Sequence, residues 1–275
     1  KAAKLAAESD AAAVFVGLGR SIKGEVHDRD SLRLPGLQER LIAAVTAANP
    51  NTAVVMINGT PLLMDRWLDD TNALVEAWYP GQEGGTAVAE VLFGDTNPSG
   101  KLSTTLPKSW KQCPAYGNYP GENHKVHYEE GIFIGYRYFD SKGVEPQFTF
   151  GHGLSYTDFE YSGLEAMPAR AAAGDTVRVS LDVTNTGAVA GKEVVQVYVS
   201  DLECSVERPA HELKGIAKVA LEPGETKTVS FELDSRAFSF FHPDTNECVL
   251  EPGEFEIQAA ASSRDIHLAE TVEIR

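Results

Sequence analysis

Cysteine is scarce in this sequence. Cys113, Cys204 and Cys248 are the only three among 275 residues. So odd and sparse a set is no disulfide framework, and no two stand at zinc-type spacing. Whether Cys204 and Cys248 pair is left open. Basic charge is also in deficit, with 24 Lys and Arg against 40 Asp and Glu and a net charge of −16. That excludes nucleic acid and anionic membranes as expected partners, because both select basic patches. Long apolar runs are missing too. The longest are strand-sized, such as residues 53–57, far short of the roughly 20 residues that cross a bilayer. The chain starts at Lys1, inside a helical pattern, with neither Met nor a basic-then-apolar signal. We expect a truncated, cleaved or separately encoded piece, and the sequence leaves its compartment unknown.

What is present suffices for a folded protein of about two domains. Hydrophobic residues make up 43% of the chain and charged residues 23%, close to soluble averages. The front alternates helix and strand. Residues 1–9 are Ala-rich and amphipathic. Residues 12–17 (Ala-Ala-Val-Phe-Val-Gly) form a continuous apolar run that suits a parallel strand buried on both faces. Residues 37–48 predict a helix whose inner face carries Leu37, Leu41 and Val45. Residues 53–57 predict a second buried strand, 62–67 a short helix and 74–77 a third strand. Residues 82–93 predict a helix, with Val88, Val91, Leu92 and Phe93 on its apolar side and Gly94 in the left-handed position after it. Such alternation implies an α/β open, mainly parallel sheet sandwich, incomplete at its N-terminus. We place it at 1–110. An irregular connecting segment, rich in Pro, Gly and Tyr, follows at 111–160. From 161 to 275 short alternating strands, joined by turns such as Glu222-Pro223-Gly224-Glu225, predict an all-β fibronectin III-like sandwich.

The loop after the first strand holds the candidate chemistry: Gly19-Arg20-Ser21-Ile22-Lys23-Gly24-Glu25-Val26-His27-Asp28-Arg29. In open parallel sheets the ligand crevice lies at the carboxyl ends of the strands. There Glu25 is placed to protonate a leaving oxygen if partial burial raises its pKa, and Asp28 and Arg29 to hold the loop. Read alone, Glu25 stays open between this role and that of a solvated surface carboxylate. Other conspicuous residues have plainer readings. Glu83 sits at a helix start, where a carboxylate suits the dipole. Glu129 and Glu130 are expected to bind backbone or Arg137. Trp78 is expected in the core, and Tyr79, Trp110, Tyr116 and Tyr119 in interfaces rather than under a sugar. His124 and His127 are too isolated for a metal site. Asn58-Gly59-Thr60 fits a glycosylation sequon but follows a buried strand.

Gly24-Glu25-Val26-His27-Asp28-Arg29 resembles the Glu-Gly-x-Asp-Arg loop of family 3 glycoside hydrolases, with Val26 where the pattern has Gly. The resemblance continues, in order, through Val55-Met56-Ile57-Asn58-Gly59-Thr60-Pro61, Trp78-Tyr79-Pro80-Gly81-Gln82-Glu83-Gly84-Gly85 and Asn97-Pro98-Ser99-Gly100-Lys101-Leu102. It goes on through Tyr128-Glu129-Glu130-Gly131 and Gly135-Tyr136-Arg137-Tyr138-Phe139 to Phe150-Gly151-His152-Gly153-Leu154-Ser155-Tyr156, and so covers essentially the whole chain.

The resemblance implies part of a retaining exo-β-glycosidase, foremost a β-glucosidase, hydrolysing terminal non-reducing β-D-glucosyl residues. Retaining enzymes use two carboxyl groups about 5–5.5 Å apart. Glu25 corresponds to the acid/base, supported by Asp28 and Arg29. The nucleophile is an aspartate of a (β/α)8 barrel that these 275 residues do not contain, so this chain alone is expected to be an incomplete enzyme. Implied partners are a β-glucoside or oligosaccharide and that barrel, with no nucleic acid, membrane, metal or cofactor. The alternatives are a β-xylosidase or related family 3 activity, or a non-catalytic carbohydrate- or protein-interaction module.

Overall fold

The computed structural model describes residues 1–19 and 29–275. The chain divides into two compact units. The first comprises Lys1–Thr96, Leu106–Tyr116 and Glu145–Gln147; the second comprises Asn97–Thr105, Gly117–Val144 and Phe148–Arg275.

The first unit runs α1 (Ala2–Ala7), β1 (Ala12–Gly17), α2 (Gln38–Thr46), β2 (Thr52–Ile57), β3 (Ala73–Glu76) and α3 (Gly84–Phe93). Its three strands pair in parallel in the order β1-β2-β3, with Val14 opposite Val54 and Val54 opposite Leu74. Parallel pairing needs crossovers; α2 supplies the helix between β1 and β2, while the connection from β2 to β3 carries only a 3-10 turn at Leu68–Asp70. Central β2 carries Val54, Val55 and Met56 with no exposed surface, so both its faces are covered. Each such side chain contributes roughly 1.5–3 kcal/mol of hydrophobic stabilisation. Asn49, just after α2, ties that helix to the end of α1: its amide nitrogen donates to the Ala6 and Ser9 carbonyls (3.0 and 2.8 Å).

Four expectations are corrected here. β1 is not buried on both faces: Val14 and Val16 are buried but Phe15 is 53% exposed. β1 is an edge strand among the described residues and α2 packs against it; an apolar run does not record whether its second face finds a cover. The inner face of α2 is Ile42, Val45 and Thr46, while Leu37 and Leu41 lie out in solvent. Two overlapping stripes satisfied the helical period there, and docking chose between them. Residues 62–67 form no helix. Leu62, Leu63 and Met64 run through the core as an extended segment, and a 3-10 turn follows at Leu68–Asp70; the Leu63 N–H is used by the Leu32 carbonyl (2.9 Å) rather than by a helix. In α3 only Gly84 and Val88 are buried, and Phe93 is exposed. Gly94 does adopt the left-handed conformation (φ 80°) after it.

The second unit begins with short helix α4 (Tyr136–Ser141) and continues as β4 (Phe159–Met167), β5 (Arg170–Ala171), β6 (Val177–Asn185), β7 (Gly191–Asp201), β8 (Glu212–Leu221), β9 (Thr226–Leu233), α5 (Ser235–Phe238), hairpin β10–β11 (Phe240–His242, Glu247–Val249), β12 (Gly253–Ala260) and β13 (Ile266–Ile274). Sheets β5-β13-β12-β7-β8 and β4-β6-β9 face one another. Alternating residues of both sheets, Val177, Val179 and Leu181 against Val197, Ile257 and Val272 among them, form one core. β7 departs from simple alternation. Its outward Gln196 and Tyr198 are also buried, and Gln196 donates to the carbonyls of Gly151 (3.2 Å) and Ala261 (2.7 Å). The residues around Tyr136, Phe150 and His211 cover that face through stacked and edge-on rings.

Candidate functional site

The carboxyl ends of β1, β2 and β3 are built from few side chains. At the end of β1, the Gly17 N–H donates to Gln38 Oε1 (2.7 Å). Gln38 Nε2 in turn donates to the Gly17 carbonyl (3.0 Å) and the Pro35 carbonyl (3.2 Å). A Cβ on residue 17 would lie 2.0 Å from the Ile57 carbonyl oxygen, so only glycine fits. That oxygen accepts the Leu18 N–H (3.0 Å). Residues 20–28, with the candidates Glu25 and Asp28, lie outside the described residues.

Arg29 is described. Its Nη1 donates to Thr60 Oγ1 (2.9 Å) and its Nη2 to the Arg33 carbonyl (3.0 Å). Burial lowers its pKa from the usual guanidinium value, and nearby Tyr79 opposes that shift. Arg33 forms a two-pronged pair with Asp65 (2.8 and 2.9 Å). Those hydrogen bonds raise the arginine and lower the carboxyl. The stretch after residue 28 is thereby strapped to the segment that follows β2.

Between the strand ends, fully buried Asn58 donates from Nδ2 to the Thr60 carbonyl (3.0 Å) and to Glu76 Oε2 (3.2 Å), while its Oδ1 has no partner among the described residues. Such burial leaves the sequon no access for a glycan. Glu76 Oε1 accepts the Trp78 N–H (2.9 Å), which holds Trp78 at the left-handed φ of 49°. Burial raises the Glu76 pKa, and the hydrogen bonds from Trp78 and Asn58 counter it in part. Trp78 itself is only half-buried; the tryptophan sealed in the core is Trp67.

The remaining sequence candidates fall apart from this group. Glu83 is the N-cap residue of α3, but its carboxylate accepts from the Thr86 hydroxyl (3.4 Å) rather than from a backbone N–H. Arg137 pairs with Glu212 (3.0 Å), not with Glu129 or Glu130; Glu130 accepts from Asn118 (3.5 Å). Strand β8 brings Glu212 from 75 positions away, a partner no local pattern announces. His124 and His127 are exposed. All three cysteines are free thiols. No three potential metal ligands gather among the described residues, and no described helix is long and apolar enough to cross a membrane. Gln38 and Glu76 were not singled out from sequence, and Asn58 and Thr60 only as a sequon and as part of the family-like run at 55–61. For Glu76 the signal was position, at the end of an apolar strand.

A parallel sheet followed by a β-sandwich agrees with the family models. Residues 1–136 match the glycosyl hydrolase family 3 C-terminal domain, and residues 193–263 match a fibronectin type III-like domain. The chain belongs to glycosyl hydrolase family 3, of which it carries the C-terminal region.

Among its relatives is "Thermostable beta-glucosidase B" of Acetivibrio thermocellus, 48% identical over 274 residues that make up 100% of this chain and 36% of the relative. "Exo-alpha-(1->6)-L-arabinopyranosidase" of Bifidobacterium breve is 42% identical over the same shares. The crystal structure of the Bifidobacterium adolescentis GH3 beta-glucosidase superposes with a TM-score of 0.94 at 39% identity, over 99% of this chain and 40% of that one. The chain thus spans about a third of the length of the curated relatives it matches.

Proposed function

We propose that this chain is part of a retaining exo-β-glycosidase, foremost a β-glucosidase that releases terminal β-D-glucosyl residues. In this reading Glu25 is the acid/base and Arg29, with Asp28, supports its loop. The nucleophile is an aspartate of a (β/α)8 barrel outside these 275 residues. The observation that carries the reading is the relationship to beta-glucosidase B at 48% identity across the whole chain. The position of the Glu25 motif supports it: the motif begins after β1, and its last residue, Arg29, is anchored to Thr60 beyond β2.

The chemistry follows from two carboxyl groups. The barrel aspartate attacks the anomeric carbon while Glu25 gives its proton to the departing oxygen. Glu25 then takes a proton from the water that releases the sugar. Asp28 and Arg29 act by holding the loop.

The test is hydrolysis of aryl β-glucosides by the full protein, wild type against Glu25→Ala. We expect a loss on the order of 10²–10⁴-fold for a poor leaving group, with azide restoring turnover as a glycosyl azide. Wild-type rates in Glu25→Ala would refute the assignment. A second sugar is favoured by the 42% identical arabinopyranosidase. Competition between p-nitrophenyl β-D-glucoside and p-nitrophenyl α-L-arabinopyranoside ranks the two by kcat/KM.

A further inference from the structure

We infer that His211 is a proton-dependent rivet: only as the doubly protonated imidazolium does it bond α4 and β12 at once and so hold α4 against the start of β8. The inference is independent of the acid/base reading, and every group in it lies in the second unit. His211 is buried and immediately precedes β8. Its Nδ1 stands 2.9 Å from Gln258 Oε1 of β12, and its Nε2 stands 3.2 Å from Asp140 Oδ2 of α4.

Both of those oxygens are acceptors. Asp140 is a carboxylate whose other oxygen accepts from Arg264 Nε (2.6 Å). The Gln258 amide is oriented by Glu256, whose Oε1 accepts from Gln258 Nε2 (2.6 Å). Turning that amide over would set its oxygen against a carboxylate. A neutral imidazole carries one N–H and one bare lone pair. Either tautomer therefore leaves a lone pair facing an oxygen, in a buried place where an unmade hydrogen bond is costly. The imidazolium donates to both, and its charge stands beside Asp140.

The other titratable groups packed around the ring, among the described residues, stay out of this exchange. Tyr136 of α4 and Tyr198 of β7 lie against it with centroids 6.1 and 4.8 Å away, and burial raises both phenols, so they remain neutral. Glu212, the next residue, is committed to Arg137 and Arg208 (3.0 Å each) and Lys214 (3.4 Å).

The contact that the rivet secures runs antiparallel. The Tyr136 hydroxyl accepts the Leu213 N–H (2.8 Å), Arg137 pairs with Glu212, Asp140 bonds His211, and the Ser141 hydroxyl accepts the Ala210 N–H (2.8 Å). β8 is an edge of its sheet, so α4 supplies side-chain acceptors to N–H groups at a sheet edge. Loss of the ring proton breaks one of the two His211 bonds. Arg264 still holds the Phe139 and Val144 carbonyls (2.8 Å each), so the contact loosens without releasing α4. The stabilisation is full while the ring is charged and is lost as the pH rises and the second proton leaves.

The test is amide hydrogen exchange, read by mass spectrometry, on the full protein from about pH 5 to 8, where histidine ordinarily changes charge. Rates are corrected for the intrinsic effect of pH. In the wild type we expect protection of residues 136–142 and 207–213 to fall roughly tenfold or more across that range, the scale of one hydrogen bond to a charged group, while β6 stays unchanged. His211→Gln has no titrating ring and is expected to sit at the loosened level throughout. Asp140→Asn keeps the oxygen for Arg264 and gains a donor for Nε2, so a neutral ring is satisfied on both sides. Its protection is expected to be flat with pH. If His211→Gln fails to fold, Asp140→Asn carries the comparison. Wild-type protection that is flat or rises with pH would overturn the rivet. A decline that persists in either variant would assign the titration to another group and overturn it equally.

Discussion

Gln38 meets both backbone polar atoms of Gly17 with a single side-chain amide, across 21 residues of sequence. Satisfying an edge-strand peptide in this way is necessary because an unpaired half-buried amide is costly. On the β2 side of the same residue, the Ile57 carbonyl approaches to where a Cβ would stand. Gly17→Ala is therefore expected to push β1 off β2 and to destabilise the first unit by roughly 1–3 kcal/mol. Chemical denaturation of the variant against wild type measures this, and a change within 0.5 kcal/mol would contradict the close approach.

The two stripes of α2 make opposite predictions. Ile42 is fully buried and Leu37 is 67% exposed. Ile42→Ala is expected to cost about 2–5 kcal/mol through lost burial and the cavity left behind. Leu37→Ala is expected to stay within about 0.5 kcal/mol. Paired urea titrations decide, and equal costs would mean that the helix is docked differently.

Thr60→Val keeps the shape of the side chain and removes the acceptor of Arg29 Nη1. The guanidinium, whose pKa burial already lowers, then loses one of its two anchors among the described residues. A cost of roughly 1.5–3 kcal/mol is expected, the scale of a hydrogen bond to a charged group. Thr60→Ser, which retains the hydroxyl, is expected to recover most of it.

Two carboxyls give stability slopes of opposite sign with pH. At Asp140, burial pushes the pKa up, but hydrogen bonds from His211 and Arg264 outweigh it and hold it below the usual carboxylate range. The unfolded chain then binds more protons than the folded one. Its stabilisation is present above the unfolded value of about 3.9 and is lost as the pH falls through the folded value. Asp140→Asn is expected to flatten that acid limb in a series of denaturation curves.

Glu76 behaves the other way. Burial raises its pKa, against hydrogen bonds from Trp78 and Asn58. The folded state holds the proton longer, so stability is expected to decline as the pH rises from the unfolded value of about 4.3 through the raised folded value, then level off. Glu76→Gln removes the proton and with it the decline. An unaltered slope between those two values would show that Glu76 does not titrate as its burial requires.

Much of the architecture was legible because it rests on local period. Val177, Val179, Leu181 and Val183 alternate in the sequence and all four are buried on one face of β6. The run at 12–17 is β1, and Gly94 ends α3 in the left-handed conformation. The proposed site was legible only as a motif, Gly24 to Arg29, of which Arg29 alone is among the described residues; the family matches place the chain in glycosyl hydrolase family 3. The supporting shell was not legible. Nothing near Gln38 in the sequence points to Gly17, and nothing near Arg137 points to Glu212.

By itself, then, the sequence determined the order of helices and strands, the change from a parallel α/β unit to a β-sandwich, and the family, since these are written in spacing and contiguous motifs. Tertiary structure alone decided that α2 buries Ile42 rather than Leu41, that Trp67 rather than Trp78 is sealed in the core, and that Phe15 faces outward. It alone decided that Gln38, Thr60 and Glu76 brace the strand ends. Each of those outcomes depends on groups that meet only when distant segments pack, where burial and hydrogen-bond geometry choose among faces the local pattern leaves equivalent.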